Sequence, residues 1–128
     1  MILGFLKGFN VNGKRKLTNF EEKIKKGIKI HTIRVDEKCR WKKGNKIHFA
    51  TGVRTSNYNC FKEGVCVDIQ NVEFSDRNIW IDGIKCTWDE IEDLATNDGF
   101  DSVDDFWWWF DQYKSFEGKI IHWTELRY

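Results

Sequence analysis

The sequence contains no proline. That removes polyproline linkers, Pro-rich recognition tracts and the usual stops between domains. The 10 glycines are scattered, so no Gly/Ser-rich flexible linker divides the chain either. No apolar run approaches the ~18 residues that a membrane-spanning helix needs. Met1-Ile2-Leu3-Gly4-Phe5-Leu6-Lys7 is too short for a signal-peptide core and offers no small-residue cleavage site. The reading is a cytoplasmic chain whose cysteines stay reduced. There are only 4 of these: Cys39, Cys60, Cys66 and Cys86. The Cys60–Cys66 spacing is wider than that of a zinc knuckle, and His31, His48 and His122 show no paired ligand spacing. Phosphate-binding glycine loops and a Gly-x-Ser-x-Gly elbow are also missing. The sequence therefore points to no metal and no cofactor.

What the chain does have is aromatic surface. Its 128 residues include 7 Trp, 10 Phe and 3 Tyr, a load that a disordered chain would have to expose to water. A chain of this length buries roughly two-thirds of its unfolded surface and needs no covalent staple. Residues 1–128 read as one domain. The net charge of +1 conceals a strong asymmetry. Residues 1–64 hold 16 Lys+Arg against 5 Asp+Glu, and residues 65–128 hold 5 against 15. Either a basic face meets a polyanion, or the two halves attract each other.

Three S/T-x-x-E/D boxes predict helix starts, at Thr18–Glu21, Thr87–Glu90 and Ser102–Asp105. The first helix runs to about Lys26, with Gly27 at a left-handed cap; the others run to about Thr96 and Tyr113. Strands are predicted over 28–34, 46–51, 65–72, 78–81 and 119–124, with an Asp82-Gly83 hairpin turn into Ile84. Helices set at separate points around five or six short strands imply an α+β domain on a small barrel.

Chemistry concentrates in Gly27-Ile28-Lys29-Ile30-His31-Thr32-Ile33-Arg34. An amine, an imidazole, a hydroxyl and a guanidinium fall within six residues. A lysine in a partly dry pocket loses proton affinity and can serve as a base toward a hydroxyl. A strict strand would send Lys29 and Thr32 to opposite faces, so a bulge or turn near His31 is needed to unite them. The plain alternative is an edge strand with solvated polar residues. A second group, Arg40, Trp41, Lys42 and Lys43 followed by Arg54 and Tyr58, combines phosphate-neutralising cations with rings that can stack a base. Trp41 has the alternative reading of a buried loop anchor. In Phe106-Trp107-Trp108-Trp109-Phe110, helical spacing puts Phe106, Trp109, Phe110 and Tyr113 on one core stripe and directs Trp107 and Trp108 elsewhere.

Gly27-x-Lys29-x-x-Thr32-x-Arg34, followed by Trp41-Lys42-x-Gly44 and a strand, resembles the ASCH domain, a relative of the PUA fold. The resemblance continues through Leu94-Ala95-x-x-Asp98-Gly99-Phe100-x-Ser102 and Gly118–Trp123, and so spans nearly the whole chain. It implies a PUA-like β-barrel of five or six strands with about three flanking helices, and a cleft that recognises RNA or a modified nucleoside. For the amidohydrolase members it implies removal of an acetyl group from acetylated cytidine. The motif lysine, the motif threonine and an acid before the later helix then fall on Lys29, Thr32 and Asp98 as the catalytic set. His31, Arg34, Arg40, Trp41, Lys42, Lys43, Arg54 and Tyr58 are the expected binding residues. The sequence departs from the family pattern in three places: Asp98 stands where Glu is usual, His31 lies inside the motif, and residues 52–64 read as an insertion. The competing classes are a non-catalytic nucleic-acid or protein interaction module and a ribonuclease, for which the sequence offers no metal cluster.

Overall fold

The structure, a computed structural model, describes residues 1–111 and 113–128. It is α+β. The described residues form β1 (Ile2–Gly4), β2 (Gly8–Val11), β3 (Lys14–Leu17), α1 (Phe20–Lys25), β4 (His31–Arg34), β5 (Lys46–Thr51), β6 (Asn59–Val65), β7 (Asp68–Ser75), β8 (Asn78–Ile81), β9 (Ile84–Lys85), α2 (Trp88–Asn97), α3 (Val103–Phe110) and β10 (Ser115–His122). The expected five or six strands are ten, arranged as a five-stranded sheet β4-β10-β7-β8-β9, a three-stranded sheet β1-β5-β6 and a β2-β3 hairpin. Among the described residues these sheets do not close into one barrel.

Local rules explain most elements. β7 alternates buried Gln70, Val72 and Phe74 with exposed Asn71 and Glu73, which is a half-buried strand. Asp82 and Gly83 both take positive φ (50° and 80°), the two-residue turn that twists β8 into β9. Thr87 and Glu90 close a full capping box on α2, and the Ser102 hydroxyl caps α3 through the Asp105 amide. The Thr18 box does not form. Asn19 caps α1 in the left-handed region without a side-chain bond, while the Thr18 hydroxyl donates to the Leu6 carbonyl at 2.6 Å. Helix α3 stops at Phe110, short of Tyr113.

The core runs between the sheets and the last two helices. Phe74 on β7 meets Phe106, Trp107 and Phe110 of α3 and Phe116 of β10, with ring centroids 5.0–5.7 Å apart. Trp107 is thus a core residue, and Trp109 packs partly buried against Phe9, Phe20 and Phe100. Each such buried ring stabilises the fold by roughly 2–3 kcal/mol. The charge asymmetry is partly resolved inside the fold. Lys16 pairs with Asp101 at 3.0 Å and with Asp105, and Lys23 pairs with Asp101 at 2.7 Å. Cations of the first half therefore pin the α2–α3 connection of the second.

Candidate functional site

Strand β4 begins only at His31, not at Ile28 as its alternation predicts. Residues 27–30 instead turn away from α1. Gly27 takes φ 74°, the Ile28 and Lys29 amides both donate to the Lys23 carbonyl, and the Ile30 amide donates to Asn97 at the end of α2. This irregular stretch sets Lys29 against α2 and leaves Thr32 and Arg34 to the strand. Pairing with β10 holds the strand, with Thr32 opposite Ile121 and Arg34 opposite Lys119.

Lys29 is 1% exposed. Its Nζ donates to the Asp98 backbone carbonyl at 2.5 Å and lies 3.3 Å from Asp98 Oδ1. The ammonium also sits over the Phe20 ring at 4.5 Å. Burial pulls its pKa down to about 8, against the opposing pull of the Asp98 carboxylate. Asp98 closes α2, and the next residue, Gly99, has φ 93° and lies beneath the Lys29 stem. Arg34 reaches Thr32 Oγ1 with Nε at 3.3 Å and the Gly4 carbonyl with Nη2 at 2.6 Å.

Lys29, Thr32, Arg34 and Asp98 line one cavity of about 550 Å³. That size suits a small organic ligand. Phe5, Phe20, Phe100 and Phe116 form further wall, and Leu6, Val35, Trp108 and Tyr113 are exposed apolar side chains on its lining. Lys29 and Arg34 are the cations among its lining residues.

The sequence-predicted residues divide into two groups. Lys29, Thr32, Arg34 and Asp98 come together. His31 is fully buried behind Asp98 rather than on the cavity lining. Trp41, a stacking ring in one reading and a buried loop anchor in the other, is the latter: it is packed in the hydrophobic core at 7% exposure, and its amide donates to Asp36. Arg40, Lys42 and Lys43 lie on the exposed loop before β5, and Arg54 and Tyr58 on the exposed β5–β6 connection. None of these five lines the cavity. Tyr113, expected in the core stripe, stands outside α3 on the cavity lining. Of Trp107 and Trp108, which helical spacing directs away from the core stripe, Trp108 reaches the cavity lining and Trp107 is buried. Tyr128 and Asn97 carried no sequence signal, because only the fold brings them to His31.

Among the described residues no group of His, Cys, Asp and Glu is placed to hold a metal ion, and no helix is long and apolar enough to cross a membrane. Comparison of the chain with protein-family models, with curated proteins and with solved structures found no match in any of the three.

Proposed function

We propose that the cavity takes a modified nucleoside and that Lys29, Thr32 and Asp98 hydrolyse an acetyl amide on its base, in a PUA-related, ASCH-like domain. The observation that carries this reading is the contact of Lys29 with Asp98 at a cavity also lined by Thr32 and Arg34. In the proposed reaction the neutral amine of Lys29 takes the Thr32 hydroxyl proton as Thr32 Oγ1 attacks the amide carbonyl carbon. Arg34, whose Nε faces that oxygen, stabilises the charge developing beside it. Asp98 relays the proton from Lys29 to the departing exocyclic amine, and the C–N bond breaks. Water then hydrolyses the Thr32 ester, releasing acetate and restoring the hydroxyl. Acetylated cytidine is the first substrate to assay. Turnover by the wild type that disappears in both Lys29→Ala and Thr32→Ala supports the reaction, and no turnover by the wild type removes it.

A free nucleoside suits the cavity better than a polynucleotide strand. Its cations are the interior Lys29 and Arg34, whereas Arg40, Lys42, Lys43 and Arg54 are exposed elsewhere. Those four, with Tyr58, support a second reading as an RNA-binding module. That reading predicts an affinity for single-stranded RNA that falls steeply with salt, as released counterions require.

A further inference from the structure

His31 takes no part in the proposed reaction, yet it is fully buried and both its ring nitrogens are engaged. Its Nδ1 lies 3.1 Å from Asp98 Oδ1, and its Nε2 lies 2.5 Å from the Tyr128 hydroxyl. Asn97 Nδ2 donates to that same hydroxyl at 3.0 Å. The partners fix the proton positions. An ionised carboxylate only accepts, so Nδ1 carries the hydrogen; Nε2 is then bare and accepts from Tyr128, whose oxygen accepts from Asn97. Burial lowers the His31 pKa and raises that of Tyr128, which keeps both groups neutral in this chain.

The far end of the relay is held equally well. Gln70 accepts from the Tyr128 amide at 3.0 Å and donates to the Tyr128 carbonyl at 2.9 Å, and its Oε1 also meets His122 Nε2 at 2.9 Å. The result is a hydrogen-bonded line from β7 through the half-buried Tyr128 and the fully buried His31 to Asp98. Both contacts to the carboxylate fall on Oδ1, so Oδ2 is left for a ligand.

We infer that His31, anchored by Tyr128 and Asn97, is a positioning residue that fixes the Asp98 carboxylate against Lys29 and presents its second oxygen to the cavity. This inference rests on the proposed amide hydrolysis for its consequence in rate, but not for its geometry. Two measurements test it separately. The first is the ¹⁵N spectrum of His31 in the intact wild-type chain. Protonated Nδ1 with bare Nε2, the minority tautomer of free neutral histidine, supports the relay, and the reverse tautomer overturns it whether or not the protein turns anything over.

The second measurement is kinetic, on acetylated cytidine. His31→Leu removes the donor to Asp98 while Lys29, Thr32 and Asp98 remain, and kcat is expected to fall about tenfold to a hundredfold with little change in KM. His31→Asn places an amide N–H near the position of Nδ1 and should restore most of that loss. Tyr128→Phe, which deletes one hydroxyl, covers the case in which His31→Leu does not fold, and should lower kcat severalfold at constant KM. Unchanged kcat in both His31→Leu and Tyr128→Phe, or no rescue by His31→Asn, overturns the role. If the wild type fails to turn over, the proposed reaction falls and the tautomer alone decides the inference.

Discussion

The stem of Lys29 passes directly over the α-carbon of Gly99: a β-carbon at position 99 would lie 3.0 Å from Lys29 Cδ and 3.1 Å from its Cβ. The φ of 93° there is also one that side chains disfavour. Glycine at 99 is thus a condition for bringing the amine to Asp98. Gly99→Ala is expected to cost about 2 kcal/mol or more from strain and crowding together. Urea denaturation of the variant against wild type reads that loss, whereas Gly83→Ala, at a turn with open space around it, should cost less.

The Lys29 amine sets a pH dependence. Its pKa is lowered from 10.5 to about 8, and in the proposed reaction the neutral amine is the base. Turnover of acetylated cytidine should therefore rise with pH through about 8 and level off above it. The same shift acts on stability with a definite sign. Between about 8 and 10.5 the unfolded chain holds the proton that the folded chain has released, so stability climbs with pH across that window. Lys29→Met should remove that slope in denaturation curves taken at pH 7.5 and 10.

His122 governs the acid side. It is fully buried, its Nδ1 has no hydrogen-bond partner among the described residues, and burial lowers its pKa from 6.5 to about 3. Between those values the unfolded chain binds the extra proton, so stability is lost as pH falls from 6.5 toward 3, by a few kcal/mol in all on the scale of ~1.4 kcal/mol per pKa unit. His122→Gln should flatten this part of the profile, checked by unfolding midpoints at pH 7 and pH 4.5.

Trp108 is 43% exposed and lines the cavity, a ring available to a planar ligand. Trp108→Ala should weaken binding of the modified nucleoside by about 1–3 kcal/mol, with the fold intact. Calorimetric titration measures it. Replacing Lys42, Lys43 and Arg54 together should leave that affinity unchanged, since none of them lines the cavity.

Legibility followed the range of the forces involved. The Thr87 and Ser102 caps, the Asp82-Gly83 turn, β5 at 46–51 and β8 at 78–81 are set by residues close in sequence and could be read directly. Strands β1, β2 and β3 escaped because they are only three or four residues long, too short to show an alternation, although Asn12-Gly13, both at positive φ, is a hairpin signal within plain reach. β6 escaped because its mostly exposed residues carry no apolar alternation. At the site, resemblance to a family motif singles out Lys29, Thr32 and Asp98. It could not foresee that β4 starts at His31, since that depends on the Ile30 amide finding Asn97 across the fold. For Trp41 the charged neighbours leave a stacking ring and a buried loop anchor both open; the Asp36 carboxylate folds the loop back and carries the indole inward, which is the second of these.

The shorter of the two bonds from Lys29 goes to a main-chain oxygen. Every substitution at position 98 inherits that tether, whatever side chain it brings. The amine can therefore stay moored while the acid beside it is exchanged, lengthened or deleted. The main-chain oxygen and the side chain of this one residue thus hold the amine by separate means, and only the second changes with the residue type.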